Sequence, residues 1–272
     1  MARFPATSVT VGAQVMQFRA AGNRHIAPTH VLLHGIGSGS ASWVHQLQAV
    51  HNAQHQHVLA WDAPGYANSS LLPMVAPQAA DYTARLWQWL DSMAAPQPIT
   101  LVGHSLGCLI AAHAARQAPH RVKRLVLLAP AQGYGSASVE ERNKKLQDRL
   151  ETLATLGPQG LAHKRGSAML SANASAEQIA FVQAVMAQMV PAGYTQAARL
   201  LAQGDLRADL SHVSCPVQVA SGSADGITPV AGCMALAAAV HAPYLSLGVV
   251  GHVCALEAAQ AVSQMLGLGD PA

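Results

Sequence analysis

Short apolar segments alternate with helix-favouring segments along most of this chain, and this alternation limits the possible folds more than any other feature. Six continuous apolar runs occupy residues 30–35, 57–62, 99–105, 124–130, 216–222 and 244–250. Runs without polar alternation are typical of strands covered on both faces. Helical patterns fall at 41–53, 76–94, 106–118, 228–241 and 255–267. The order predicts an α/β fold whose sheet is mainly parallel, with helices on both sides.

The N-terminal segment 8–22 differs from these runs because its apolar and polar residues alternate. Alternation with a period of two indicates strands with one solvated face. We therefore expect an antiparallel pair at one edge, which brings the predicted sheet to eight strands.

Between Pro130 and Pro216 the sequence has no convincing strand. Helical patterns are found there at 138–156, 158–170, 175–189 and 193–203. We interpret residues 131–210 as a helical cap inserted into a core formed by 1–130 and 211–272. In open α/β sheets ligands bind at the carboxyl ends of the strands, and a cap over that edge would close the site from water.

Composition favours a folded chain with a large core. Of 272 residues, 51% are hydrophobic and only 11% are charged, so extended disorder is excluded. The net charge of +3 comes from scattered residues, and its densest basic cluster, RNKKLQDR at 142–149, indicates a solvated helix face. We expect a small-molecule substrate and no nucleic-acid partner, while the oligomeric state stays open.

Location is inferred from the termini and the cysteines. The N-terminus shows no signal-peptide pattern, and the longest apolar tract, 232–251, is interrupted by His241 and Pro243 and is too polar to span a membrane. The cysteines form no C-x-x-C pair and stand in apolar surroundings, at Cys108, Cys215, Cys233 and Cys254. Free buried thiols are typical of a reducing compartment, so we expect a cytoplasmic protein without membrane attachment.

A Gly-x-Ser-x-Gly motif occurs once, as GHSLG at 103–107, between a predicted strand and a predicted helix. At such a turn the serine is strained, and strand and helix come so close that residues two before and two after it must be small, as Gly103 and Gly107 are. The N–H groups at the start of the next helix favour a developing negative charge. The pattern favours Ser105 as a nucleophile over a serine between two turn glycines.

A serine nucleophile needs a base, and the base needs an acid. His252 follows the last predicted strand in a Gly-His turn, and Asp225 follows the strand at 216–222 in the segment SGSADG. Both positions lie at the strand edge expected for Ser105, in the order nucleophile, acid, histidine. The alternative for Asp225 is a turn-capping residue.

Acyl chemistry also requires two donors for the oxyanion. The amide of Leu106, directly after the serine, is one candidate. The glycine-rich segment HGIGSGS that begins at His34 follows an early strand and offers the amide of Ile36. An ordinary turn is the alternative, whereas a phosphate loop is disfavoured because the segment lacks the P-loop lysine and the G-x-G-x-x-G spacing.

Together these motifs resemble those of the α/β-hydrolase fold over nearly the whole chain. The matching segments are HGIG at 34–37, DAPGYANS at 62–69, GHSLG at 103–107, Asp225 and GH at 251–252. The resemblance implies a serine hydrolase with the triad Ser105, Asp225 and His252. One departure is Ala67, where the family pattern has a second glycine, and it leaves the shape of that loop open.

Within this family the capped layout resembles enol-lactonases, simple esterases and meta-cleavage-product hydrolases. A carboxylic ester or lactone is the substrate expected first. Carbon–carbon cleavage of a vinylogous diketone is the alternative, although Val253 and the segment SLGC depart from the pattern of those enzymes. A further alternative is a ligand-binding member that has kept the triad without turnover.

Two residues are candidates for substrate contact. The resemblance implies a cap arginine that holds a substrate carboxylate, and Arg165 is the candidate, with a solvent-facing helix residue as the alternative. Trp43 follows the glycine-rich segment and could line an acyl pocket or pack in the core. The histidine-rich segment HNAQHQH at 51–57 lacks acidic or cysteine partners, so we expect no metal site and no cofactor.

Overall fold

The computed structural model describes residues 3–94 and 97–269. An eight-stranded sheet runs through it in the order β1-β2-β4-β3-β5-β6-β7-β8. The strands are β1 (Thr7–Val11), β2 (Gln14–Gly22), β3 (His30–Leu33), β4 (His57–Trp61), β5 (Ile99–His104), β6 (Val122–Leu128), β7 (Val217–Ser221) and β8 (Tyr244–Ser246). The pairs β1·β2 and β2·β4 are antiparallel, and the others are parallel. The α/β-hydrolase fold with an antiparallel pair at one edge is therefore confirmed.

Ten α-helices occur in the described residues. Their bounds are α1 (Val44–Ala49), α2 (Ala79–Met93), α3 (Gly107–Gln117), α4 (Val139–Gly166), α5 (Ala176–Ala187), α6 (Pro191–Gln203), α7 (Leu206–Leu210), α8 (Val230–Ala239), α9 (Cys254–Glu257) and α10 (Ala259–Leu266). Short 3₁₀ turns stand at Ser40–Trp43, Pro119–Arg121 and Ser167–Met169.

Both faces of the sheet are buried because its strands are apolar at successive positions. On β5, Leu101 packs into the cluster that includes helices α2, α3, α7 and α8, and Val102 into the opposite cluster with α1, α9 and α10. Side chains alternate between the faces of a strand, so a continuous apolar run feeds both layers. The central strand β5 lies between β3 and β6, and its carboxyl end reaches the middle of the sheet edge.

Helices α4, α5 and α6 form a separate apolar cluster beside that edge. The chain enters and leaves this group through adjacent segments, where the Gly135 amide donates to the Gly204 carbonyl at 2.8 Å and the Leu206 amide to that of Gln132 at 3.0 Å. A side chain at Gly133 would approach the Gly204 oxygen to 1.9 Å, so the neck between the two segments requires glycine.

Helix α7 lies inside the predicted insertion 131–210 but packs with the sheet layer. Leu206 and Leu210 are buried in the α2·α3 cluster. Asp209 accepts hydrogen bonds from Arg116 at 2.8 Å and His113 at 3.2 Å, both on α3. The group of helices beside the sheet edge therefore ends near Gly204, because α7 has its own apolar partners on α3.

Candidate active site

Ser105 stands at the turn between β5 and α3 with a φ of 53°. This left-handed conformation is unusual for a residue with a side chain and stores strain. A Cβ atom at Gly103 would lie 2.6 Å from the Gly107 oxygen, and one at Gly107 would lie 2.4 Å from the Leu33 oxygen. The two glycines are therefore required by the close approach of helix to strand, as the motif predicts for a nucleophile elbow.

Asp225 and His252 are brought together at the carboxyl ends of β7 and β8. His252 Nδ1 lies 2.9 Å from Asp225 Oδ2, and both residues are buried. Because an ionised carboxylate only accepts hydrogen bonds, Nδ1 carries the hydrogen, and Nε2 is the nitrogen left for proton transfer.

The Asp225 carboxylate is held by its own loop as well. Oδ1 accepts from the amides of Ile227 at 2.8 Å and Thr228 at 2.9 Å, and Oδ2 accepts from the Thr228 hydroxyl at 2.7 Å. Burial by itself would raise the pKa of Asp225, but the hydrogen bonds from His252 and Thr228 bring that pKa below its ordinary value. The turn-capping role and a role as partner of His252 therefore occur in the same residue. Thr228 was missed because a threonine after a glycine-rich turn has no distinctive sequence signal.

His104 supports the histidine loop, defined as residues 251–253. Its Nε2 donates to the backbone carbonyl of His252 at 2.8 Å, and the centroids of the two imidazole rings are 4.9 Å apart. Burial lowers the pKa of His104 to about 3, with a further contribution from His252, so the ring is neutral at physiological pH. Sequence reasoning did not single out His104 beyond its place in the GHSLG motif.

The two candidate oxyanion donors flank Ser105. Leu106 caps the start of α3 with φ −55°, and Ile36 lies in the loop after β3. In the described part of the chain neither amide donates to another protein group, so both N–H groups are available to a ligand. The loop passes close to the serine, since a Cβ atom at Gly35 would lie 2.9 Å from Ser105 Cβ.

A cavity of about 270 Å³ opens over Ser105 and His252. Its floor includes Ile36, His104 and Thr228, and its roof comes from α4, α5 and the segment after α4. Apolar side chains dominate the roof, at Met169, Phe181, Val182, Val185 and Met186. A mostly apolar cavity with a few polar groups is typical of a small-molecule site.

Arg165 lies on the wall of this cavity, and so does Arg149. Within the described residues neither guanidinium forms an ion pair, and the wall carries no aspartate or glutamate. The interpretation of 142–149 as a solvated helix face is wrong for its last residue. Arg149 stands three residues after Leu146 and four before Leu153, both of which pack inward, and this spacing is the signal that could have placed it.

Trp43 is not among the residues that line the cavity. It is fully buried in the apolar layer with α1 and α10. Its ring is packed edge-on against that of His104, with 6.4 Å between the ring centroids. Of the two alternatives for Trp43, the structure shows core packing, because the 3₁₀ turn at 40–43 directs the indole into the core.

The remaining expectations concern Ala67 and the cysteines. Ala67 has a φ of 48°, so alanine adopts the left-handed conformation at the position where the family pattern has glycine. Burial raises the pKa of the Cys108 thiol, and it raises the pKa of the Cys254 thiol to about 12. Both side chains pack behind the site as neutral thiols and do not compete with Ser105.

Neither a metal cluster nor a membrane-spanning helix is found in the part of the chain that the structure describes. Residues 3–94 and 97–269 contain no group of three or more histidine, cysteine or acidic side chains arranged to hold a metal ion. In the same residues no helix combines the length and the apolar character needed to cross a membrane.

Curated relatives resemble this chain over about three quarters of its length. The (E)-2-((N-methylformamido)methylene)succinate hydrolase of Acinetobacter baylyi is 30% identical over 200 residues, which cover 72% of each chain. The pimeloyl-(acyl-carrier protein) methyl ester esterase of Aliivibrio fischeri is 31% identical over 207 residues, which cover 74% of this chain and 76% of that enzyme.

Solved structures and a family model agree with the fold described above. The enol-lactonase from Burkholderia xenovorans LB400 superposes with a TM-score of 0.81 at 23% identity, covering 96% of this chain and 98% of that one. The family model for the alpha/beta hydrolase fold matches residues 28–245, from the strand before the glycine-rich loop to β8. This chain belongs to the α/β-hydrolase fold family, and it is a hydrolase.

Proposed function

We propose that this hydrolase cleaves a small carboxylic ester or lactone through an acyl-enzyme on Ser105. The proposal depends on one observation, which is that the strained Ser105 and His252 line the same cavity. His252 Nδ1 is hydrogen-bonded to Asp225 Oδ2 at 2.9 Å.

In the proposed mechanism His252 Nε2 accepts the proton of the Ser105 hydroxyl while Oγ attacks the carbonyl carbon. Asp225 keeps the imidazole oriented and stabilises the cation that forms. The amides of Ile36 and Leu106 stabilise the oxyanion, and the start of α3 adds its positive end. His252 returns the proton to the leaving alkoxide, and a water that it then activates releases the acid.

We further propose that the substrate carries a carboxylate besides the bond that is cleaved. Arg149 and Arg165 supply two positive charges to a cavity wall without acidic residues. The name of the Acinetobacter relative specifies a succinate, which is a dicarboxylate, and that of the Aliivibrio relative a methyl ester. Charge-assisted hydrogen bonds from arginine suit a carboxylate, and residues 131–204 would act as a cap that shields this pairing from water.

The four free cysteines support the cytoplasmic location expected from the sequence.

A fluorophosphonate tests the nucleophile without knowledge of the substrate. We expect the wild-type protein to bind about one equivalent of the probe, because the acyl-transfer machinery phosphonylates its own serine. Ser105→Ala should bind none, and Ser136→Ala, at an exposed serine, should react like the wild type. A wild-type protein that stays unlabelled, or labelling that survives in Ser105→Ala, would contradict the proposal.

The substrate class is tested with two esters that share a leaving group. Mono-p-nitrophenyl glutarate carries a free carboxylate, and p-nitrophenyl butyrate is of similar length and neutral. We expect the higher kcat/KM for the glutarate. Equal values, or a preference for the neutral ester, would count against a carboxylate-bearing substrate.

A further inference from the structure

The carboxylate of Glu257 connects two parts of the site that the proposed mechanism uses separately. Glu257 is the last residue of α9, the short helix that begins directly after the histidine loop. One of its oxygens, Oε2, accepts from the Gly251 amide at 2.8 Å. Both oxygens accept from the Ser171 amide, at 3.1 and 3.2 Å, and Oε1 also accepts from the Ser171 hydroxyl at 2.5 Å.

Ser171 ends the segment 167–171, which we call the arm because it follows α4 and leads from Arg165 to the histidine loop. Met169, in the middle of the arm, lies on the cavity wall. Its carbonyl accepts a hydrogen bond from the Val253 amide at 3.2 Å. The arm is therefore in contact both with the substrate cavity and with the residue next to His252.

Each of the three consecutive residues of the histidine loop is held through a backbone group by a hydrogen bond to a residue outside the loop. The Gly251 amide donates to Glu257, the His252 carbonyl accepts from His104, and the Val253 amide donates to the arm. Packing at this point is tight, since a Cβ atom at Gly251 would lie 2.6 Å from the Ser171 nitrogen. Of the three supports, Glu257 is the one that binds the loop and the arm with the same functional group.

We propose that Glu257 is a positioning residue. By binding both the histidine loop and the arm, it fixes the position of the base His252 relative to the side of the cavity that carries Arg165. This inference rests on the proposed function, in which His252 is the base and Arg165 binds a carboxylate. All the hydrogen-bond partners of the carboxylate are donors, and in the described residues no lysine or arginine forms an ion pair with it. A carboxylate accepts from both amides and from the hydroxyl at once, because both of its oxygens are acceptors.

The variant Glu257→Gln tests this role with almost no change in volume. If its amide NH₂ faces the Gly251 amide, two donors oppose each other and that hydrogen bond is lost. If the NH₂ faces Ser171 instead, the hydroxyl can accept from it, but the negative charge and one of the two acceptors for the Ser171 amide are lost. We expect the rate of fluorophosphonate labelling to fall about tenfold, because small misplacements of a catalytic group have effects of this size. We also expect KM for mono-p-nitrophenyl glutarate to rise about tenfold relative to KM for p-nitrophenyl butyrate, as the arm shifts.

Two further variants complete the experiment. Ser171→Ala removes the hydroxyl, which donates to Glu257 and accepts from the Asn173 amide at 3.3 Å. It should change both readouts in the same direction by about threefold, since the Gly251 and Ser171 amides still donate to Glu257. It decides the question if Glu257→Gln fails to fold. Glu140→Gln, at an exposed position of α4, is the matched control and should leave both readouts unchanged.

The outcomes separate this inference from the function on which it rests. A fall in labelling rate together with the selective rise in KM would support a role in positioning both parts. Wild-type labelling rates in Glu257→Gln, or a fall in labelling without the KM change, would overturn it, even if the melting temperature drops. A wild-type protein that does not react with the fluorophosphonate would instead refute the proposed nucleophile.

Discussion

At the scale of single residues, the site depends on positions where the backbone or a charge has few alternatives. The left-handed Ser105 costs on the order of 1–3 kcal/mol, and the close packing of Gly103 and Gly107 maintains it. On the wall of the same cavity, Arg149 and Arg165 bring positive charge to a mostly apolar surface. Charges partly removed from water are stabilised by an anionic partner, and in the proposed function the substrate supplies it.

Substitution of Arg165 by glutamine should affect only substrates with a free carboxylate. We expect KM for mono-p-nitrophenyl glutarate to rise about tenfold to a hundredfold, since a charged hydrogen bond contributes about 1.5–3 kcal/mol. KM for p-nitrophenyl butyrate should stay within about twofold of wild type. Steady-state kinetics with both esters measures the difference.

Lys164→Gln provides the matched control, because Lys164 is the exposed neighbour of Arg165 on α4. It should leave both KM values unchanged. Equal increases for the two esters in Arg165→Gln would mean that the arginine shapes the cavity instead of binding a carboxylate.

At the scale of elements, the break in α4 explains how two distant arginines reach one cavity. Arg149 and Arg165 are 16 residues apart. In an unbroken helix they would be separated by about 24 Å and would point about 160° apart. Gly157 interrupts the helix with φ 62° and ψ 179°, and Pro158 begins the second half. The bend allows both side chains to line the same cavity.

Gly157→Ala should weaken binding of the carboxylate without disabling the nucleophile. The observed φ and ψ lie in a region that is essentially restricted to glycine, at a cost of about 1–3 kcal/mol for other residues. No atom lies within 4 Å of the position of the new Cβ, so the effect comes through the backbone. We expect a higher KM for mono-p-nitrophenyl glutarate and near-wild-type fluorophosphonate labelling.

The control for this variant is Gln159→Ala, two residues further along the same helix and exposed. It should behave like the wild type with both probes. If Gly157→Ala also leaves KM for the glutarate unchanged, the bend does not set the position of the arginines.

At the scale of the whole molecule, buried neutral histidines connect stability to pH. Burial lowers the pKa of His30 to about 4 and that of His104 to about 3, and it lowers those of His34 and His57 as well. In the unfolded chain these rings titrate near the ordinary value of about 6.5. Below that pH the unfolded state binds more protons than the folded state, so stability is complete above about pH 6.5 and declines toward pH 4.

The free energy of unfolding should therefore fall as the pH is lowered from 6.5 to 4.5. Each histidine that stays neutral in the folded state contributes a slope of about 1.4 kcal/mol per pH unit once its unfolded form is protonated. Urea denaturation at several pH values measures this slope. His30→Gln keeps a donor for the Leu266 carbonyl, which His30 Nε2 meets at 3.1 Å, but cannot be protonated, so it should reduce the slope. A slope that is flat, or the same in this variant, would contradict the account.

Much of the fold and of the candidate site could be predicted from the sequence because the relevant constraints are local. Continuous apolar runs indicate strands buried on both faces, and a strand of the structure overlaps each predicted run. The small residues around Ser105 are required by a turn only a few residues long. The positions of Asp225 and His252 follow from parallel topology, since the carboxyl ends of parallel strands share one edge of the sheet.

Other features depended on contacts between segments far apart in the chain, and only the tertiary structure decided them. Arg149 reaches the cavity beside the bend at Gly157, and Trp43 lies in the core. Helix α7 packs on α3, so the group of helices beside the sheet edge ends near Gly204. Local patterns report which residues are apolar and how a single element is formed, but they do not specify which elements meet. Glu257 illustrates this limit, because its donors Gly251 and Ser171 are 80 residues apart and become neighbours only in the folded chain.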